Sequence, residues 1–511
     1  MKIQNIFTHK KIFFAGFITI MLIGSSCTKL NENLNSEVTE SQASAYLSAN
    51  ADYTAMLERA YRDFVNVFDG YAQNFALQEV TTDECIIPTR PSGWDDGGVW
   101  RVLHQHNWDA SNATCAATWN SLNKGVFDAT NILSFSPSTQ VAAQARFLRA
   151  FFMYSVLDLF GQVPFREPGS NLLLLPKVYK GTEAIDFIIN EVESVINDLP
   201  SDVPDYVADK NAAYSLLAKM YLNRGVYGNP ASPTFDPADM NKVITNVDAI
   251  SGKSLGFYWD NYQYDNDVKS KELLFTIEFG GPLSCQYEYL WFATMYSGSI
   301  LPAGGGWSGW ATTPGFYDTF SDGDIRKHYD DPACIEHGGY NVGFLVGQQY
   351  GPGGTTPIPG AIIVKEIPEI VGATAWAGVR VLKYVPDWTS TTPHNDWILL
   401  CYGDALLMKA EALLRTGQAN DGLAIVNTLR ANRSATPGSL QPLSVLTEDN
   451  LYQERGFELY WQGTRRTDMI RFGKFLDARP FKPQSDPMRL LFPIPEAAVL
   501  SNTNLTQNPG Y

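Results

Sequence analysis

QARFLRAFFMYSVLDLFGQVPF, residues 144–165, decides how the rest of the chain is read. Phe147, Ala150, Phe151, Tyr154, Leu157 and Phe160 recur at helical spacing, and Leu148, Phe152, Val156 and Leu159 cover most of the opposite side. The spacing predicts a helix packed on both flanks. It should stop where Gly161 takes a left-handed cap and Pro164 cannot continue the ladder. Arg146, Arg149 and Asp158 lie within this apolar rod. An unpaired buried charge costs several kcal/mol, so they must reach outward or find partners. The expected role is a core helix with satisfied charges, not a catalytic one.

Residues 43–68 carry Tyr46, Tyr53, Met56, Leu57, Ala60, Tyr61 and Phe64 on one helical face, and patterning returns at 116–133. A further helix is expected over 183–199, ended by Pro200, and another over 211–224, closed by Gly225. Residues 402–415, Gly417 and 421–433 read as a helix–turn–helix with Ala410, Ala412 and Ala424 at tight-packing positions. These hairpins resemble tetratricopeptide units at irregular spacing, as if insertions interrupt the array. Near the end a helix is expected over 451–461. There Glu454, Arg455, Glu458, Arg465, Arg466, Asp468 and Arg471 alternate in sign, which suits an ion-pair network tying helices together. The fold class is therefore mostly α: a tetratricopeptide-like scaffold of helical hairpins.

Two stretches break the helical pattern. Residues 74–109 turn to Pro, Gly, Trp and Asp and read as a long loop, of the kind that often carries function. Residues 251–395 form the largest insertion, with one strand-like run at 272–279 and otherwise Gly, Pro and aromatics. They read as a loop-rich, strand-poor lobe seated on the helices.

The 511 residues, 45% apolar, suffice for a large core, and a formal charge of −16 argues against a nucleic-acid partner. Lys2, Lys10 and Lys11 precede an apolar run over 12–23 and then Gly24, Ser25, Ser26 and Cys27, a signal peptide of 1–26 in which the run is too short to span a bilayer. Cys27 directly after small residues is expected to be lipidated and to hold the chain at a membrane, although Gly24 stands where such sites usually have Leu. Residues 27–40 then make a lipidated cysteine and polar tether. The other five cysteines are widely spaced without a CxxC pair, which disfavours a disulfide framework or zinc site and leaves Cys85 with Cys115 as the one candidate bridge.

Several strings together resemble one family. RFLRAFFMYSVLDLFGQVPF, KNAAYSLLAKMYL at 210–222, SKELLF at 270–275, WILLCYGDALLMKAEALLRTG at 397–417, ERGFELYWQGTRRTDMIRFG at 454–473, LFPIP and the terminal NPGY are similar to motifs of the SusD/RagB group. Gln144, Cys401 and Gln462 depart from it, each removing a charge. The resemblance implies a SusD-like α/α fold divided into a helical region at 41–250, the insertion lobe at 251–395 and a helical region at 396–511. It also implies an outer-membrane lipoprotein that captures oligosaccharide or polysaccharide for a SusC-type TonB-dependent transporter. Neither catalysis nor a cofactor or metal is implied.

Sugar binding in water needs flat apolar faces and a few polar groups. Arg90, Trp94, Asp95, Asp96 and Trp100 supply these in one loop, and Tyr296, Trp307 and Trp310 in another; the resemblance implies a site in the same two regions. Trp94 and Trp307 are the first choices, while Trp376 and Trp388 rank lower. Asp95 with Asp96, or Asp322 with Asp324, are adjacent in sequence and do not by that face each other across a cleft as a hydrolytic pair would. Turn formation or a loose Ca²⁺ contact explains them more simply. His104 and His106 could face one way on a strand as metal ligands, but no third ligand is close in sequence. The competing expectations are a brace or lid for the transporter that binds no glycan, or capture of a non-glycan nutrient such as peptide.

Overall fold

The computed structural model describes residues 40–68, 72–91, 93–278, 288–302, 304–390 and 394–511. The signal peptide, Cys27 and nearly all of the tether lie outside the described residues, as does Cys285. Residues 47–511 form one compact unit.

The central helix runs over Thr139–Phe160, and every residue from Phe147 to Phe160 is buried. Ser138 caps its start by accepting from Val141 N, and Gly161 at φ 71° caps its end. Its aromatic sides are met by Phe64, 5.1 Å from Phe151 and 4.3 Å from Phe152, and by Phe275, 5.2 Å from Phe147. Gly125 lets a neighbouring helix approach, since a Cβ there would stand 2.6 Å from the Phe152 ring. The charges are paired as expected. Arg149 bonds Glu191 and lies 5.2 Å from the Phe165 ring centre; Asp158 accepts from Gln78 at 2.8 Å and Arg466 at 3.1 Å.

Sequential helices pack in pairs: Ala113–Leu133 with Thr139–Phe160, Gly181–Glu193 with Lys210–Gly228, and Tyr402–Arg415 with Ala419–Asn432. The expectation of a mostly helical scaffold with little sheet holds. Several boundaries differ for physical reasons. The first helical stretch breaks at Asn50 into Glu40–Ala49 and Tyr53–Phe68. Gly225 does not end its helix, which continues to Gly228. It is glycine because a Cβ would sit 1.7 Å from the Thr234 carbonyl oxygen. The helix Pro237–Ala249, opened by an Asp236 cap and Pro at its first position, was not anticipated.

The insertion is strand-poor but holds more than one strand. Leu273–Ile277 pairs antiparallel with Trp397–Cys401, and short strands at His328–Tyr329, Val342–Leu345 and Arg380–Leu382 form a three-stranded sheet. Nor is 74–109 simply a loop: it contains the helices Gln73–Glu79, buried from Asn74 onward, and Val99–His104. Cys85 and Cys115 are separate buried thiols, so the candidate bridge between them is not made.

His104 ends a helix and is not on a strand with His106. Each donates from Nε2 to a carbonyl, His104 to Pro480 at 3.2 Å and His106 to Thr81 at 2.8 Å. Burial pushes His104 down to about 4 and His106 well below its usual value, with Arg479 adding to both. The unfolded chain therefore binds protons below about 6.5 that the folded chain refuses until about 4, and stability is lost as pH falls through that window. For His104 alone the loss should be on the order of 3 kcal/mol. Denaturant unfolding of the protein and of a His104→Gln, His106→Gln variant across this range checks it. The difference between the two curves isolates the histidines, and it should narrow steadily toward acid.

Candidate functional site

The loop that carries Trp94 is stitched to two distant segments. Ile86 and Ala311 exchange backbone hydrogen bonds at 2.9 and 3.0 Å, and Thr89 N donates to Ile370 O at 2.8 Å. Arg90 locks the junction from beneath, donating to Gly309 O at 3.0 and 3.2 Å and to Ala377 O at 3.0 Å. Burial lowers its pKa to about 10. Arg380 does similar work beside it, donating to Trp310 O at 3.3 Å and Ala375 O at 2.5 Å.

On this frame the tryptophans form a graded series from solvent to core. Trp307 is 40% exposed, and its ring lies 5.3 Å from Phe292 and 6.4 Å from Trp94. Trp94, half-buried at φ 64°, donates from Nε1 to Trp307 O at 3.1 Å. Its ring is laid over Gly309, where a Cβ would stand 2.1 Å from it. Behind it Trp100 lies 6.5 Å away and Trp310 5.8 Å further on, against Phe75 and Trp461.

Of the residues expected at the site, Trp94, Asp95, Asp96 and Trp307 reach solvent together. Trp100, Tyr296, Trp310 and Arg90 do not, being 6%, 1%, 0% and 3% exposed, and the expectation that they touch ligand is corrected. Trp310 has a Gly-Ser sequence setting, yet Phe75 and Trp461, remote in the chain, enclose it. Trp100 and Trp310 back the surface pair, and Arg90 holds its loops. Trp376 is half-buried against Tyr296, and Trp388 is stacked on His337. Phe292 and Gly309 were missed; the small residue between two tryptophans in WSGW was the available signal for Gly309.

Asp95 and Asp96 are exposed at the rim of the pair. Asp95 bonds Arg101, which holds its carboxyl below the usual range, and Asp96 accepts from Trp100 Nε1 at 2.6 Å. Both carboxylates stand at the surface beside the indole pair. Asp324 is spent on buried Arg326 at 2.7 Å and Asp322 on Lys327 at 2.6 Å. Among the described residues no group of three or more His, Cys, Asp or Glu could hold a metal ion. An apolar cleft of about 630 Å³ also opens beside Ile86, lined by Phe316, Ile367, Phe457 and Phe481.

Gly309→Ala tests the construction. The added methyl must displace the Trp94 ring, so any affinity carried by that ring should fall about tenfold with the fold kept, read by calorimetry alongside a red shift of tryptophan emission.

Comparison with known proteins gives consistent matches. Residues 364–484 match the SusD family, and residues 39–222 match a family described as starch-binding and associating with the outer membrane. The starch-binding protein SusD of Bacteroides thetaiotaomicron is 26% identical over 492 residues, covering 86% of each chain. A SusD superfamily protein from Parabacteroides distasonis superposes with a TM-score of 0.69 at 18% identity over 93% of this chain and 100% of its own. Surface glycan-binding protein A from Bacteroides thetaiotaomicron, solved with laminarihexaose, gives 0.62 at 16% identity over 89% of this chain and 98% of its own.

Proposed function

Because the chain belongs to the SusD/RagB family, we propose that it captures glycan at the outer membrane on the Trp94–Trp307 ledge and passes it to a SusC-type TonB-dependent transporter. Family members bind without catalysis, and this chain is a binding protein and not an enzyme. The observation that carries the placement is the exposed Trp307 ring. An indole left 40% open beside a second indole and two exposed carboxylates is costly to keep in water, and it suits the apolar face and hydroxyl edge of a sugar ring. Lipidation of Cys27 would keep this ledge at the cell surface.

The relatives named for starch and laminarihexaose give the first ligands to try. Affinity gels containing starch, laminarin and other polysaccharides should retard the purified chain on at least one. Migration unaffected by every polysaccharide would favour the transporter brace, or a peptide nutrient, instead. Release of reducing sugar would overturn the non-catalytic reading.

A further inference from the structure

The cleft of about 630 Å³ beside Ile86 is a separate enclosure, and neither Trp94 nor Trp307 lines it. Its size is usual for a small-molecule site. Phe316, Phe457, Phe481 and Ile367 supply apolar wall, and the polar groups among them are few. Asp83 accepts from Arg465 Nε and Nη2 at 2.8 Å each and from the Tyr452 hydroxyl at 3.0 Å, yet its side chain is still 32% exposed. Burial works against its charge, but Arg465 holds the carboxyl below the usual range, so its open edge is that of an acceptor. Arg479 also lines the cleft. Its Nη2 donates to Thr81 O, while Nε and Nη1 are buried without a hydrogen bond. Buried donors of a charged group are costly to leave unpaired.

The Phe481 ring is set in this wall against the preference of its backbone. Its φ of 65° is one that residues with a Cβ rarely adopt, and such strain persists only where the surroundings impose it. Here they do. Arg479 and Lys482 exchange backbone hydrogen bonds at 2.9 Å, and the buried Lys482 Nζ donates to the carbonyls of Leu476, Asp477 and Pro483 at 3.1, 2.8 and 3.2 Å.

These groups select the chemistry of an occupant. A wholly apolar molecule leaves Asp83 and Arg479 unanswered. A carboxylate is repelled by Asp83, and an ammonium group meets the guanidinium groups of Arg465 and Arg479. A hydroxyl both donates and accepts, so neighbouring hydroxyls on one ring serve Asp83 and Arg479 together, and the C–H face of the same ring suits the phenyl walls. We propose that the cleft is a second carbohydrate site, independent of the ledge, that encloses one pyranose unit with its hydroxyls on Asp83 and Arg479. An enclosed site of this kind takes a chain end or a free sugar, where the open ledge accepts the length of a chain.

Saturation-transfer NMR with free glucose, galactose, mannose and xylose tests this on the purified chain and on two variants. Gly315 is an exposed residue of the lining with no atom within 4 Å of where its Cβ would stand, so the indole of Gly315→Trp enters open space and fills the cleft. Phe481→Gly removes the ring and keeps the turn, since glycine takes φ 65° freely. Thermal unfolding shows that each variant is folded, and either one suffices. Transfer from at least one sugar in the parent chain, reduced several-fold in the folded variants while retention on polysaccharide gels is unchanged, is expected. Transfer from none of the four sugars overturns the cleft site and leaves the ledge to its own gels. Equal transfer in parent and variants puts the sugar elsewhere and overturns it as well. Gels that retard nothing, together with transfer that the variants lose, overturn the ledge and support the cleft.

Discussion

Trp307→Ala is expected to weaken glycan binding by about 10- to 100-fold while leaving thermal unfolding nearly unchanged. The ring is exposed and closes no core layer, so its removal subtracts stacking area and little else. Trp94→Ala should lose a similar factor, because it removes the other ring and the hydrogen bond to Trp307 O. Trp310→Ala is the informative contrast. A fully buried indole between Phe75 and Trp461 is a core group, and its loss should cost about 3–5 kcal/mol of stability, with any affinity change following from partial unfolding. Calorimetric titration and unfolding on the same three samples separate the two behaviours. Unchanged affinity in both surface variants would remove the ledge from consideration and direct attention to the apolar cleft beside Ile86.

That contrast also marks what could be read from residues alone. Helical stretches were legible because the 3.6-residue period writes the buried face into neighbouring positions, as at Phe147, Phe151 and Tyr154. A tryptophan in a Gly-rich loop carries no such local record. Whether Trp307 or Trp310 meets water depends on Phe75, Phe292 and Trp461, which are brought there by chain crossings that no spacing encodes. The short helix Gln73–Glu79 was hidden for a related reason: it lies next to a Pro- and Gly-rich stretch whose texture dominated the window. Pro237–Ala249 does carry a local signal, Asp236 as a cap before Pro at the first helical position, but its apolar face is short and interrupted by Asn and Asp.

The departures from the family pattern show how a lost charge is absorbed. Gln144 Oε1 accepts from the Tyr61 hydroxyl at 2.9 Å, Gln462 donates to the Tyr262 hydroxyl, and Cys401 is buried at the start of the helix Tyr402–Arg415. Each glutamine meets a tyrosine hydroxyl in a neutral hydrogen bond, and the cysteine is simply buried.

Elsewhere the scaffold relies on charge, and Glu458→Ala should be the most damaging single change, costing about 3–5 kcal/mol or preventing folding at 37 °C. Glu458 receives Arg433 at 2.6 Å and Arg326 at 3.0 Å, both arginines being fully buried. Arg326 also binds Asp324 at 2.7 Å and Glu454 at 2.8 Å, and Arg433 binds Glu272 at 2.7 Å. The cluster thus joins the strand Leu273–Ile277, the end of the helix Ala419–Asn432 and the helix Glu448–Leu459. Removing Glu458 leaves Arg433 with one carboxylate where it had two, in surroundings that water cannot reach. Burial works against the ionised carboxyl, yet Arg433 and Arg326 hold Glu458 below the usual range, so its contribution is present at neutral pH and lost as pH falls through that lowered value. Lys474→Ala breaks only an exposed pair with Asp449 at 3.1 Å and should move stability by less than about 0.5 kcal/mol. Urea unfolding at pH 7.5 compares the two. Equal stability of the Glu458→Ala and Lys474→Ala proteins would mean the cluster does not hold the helices together.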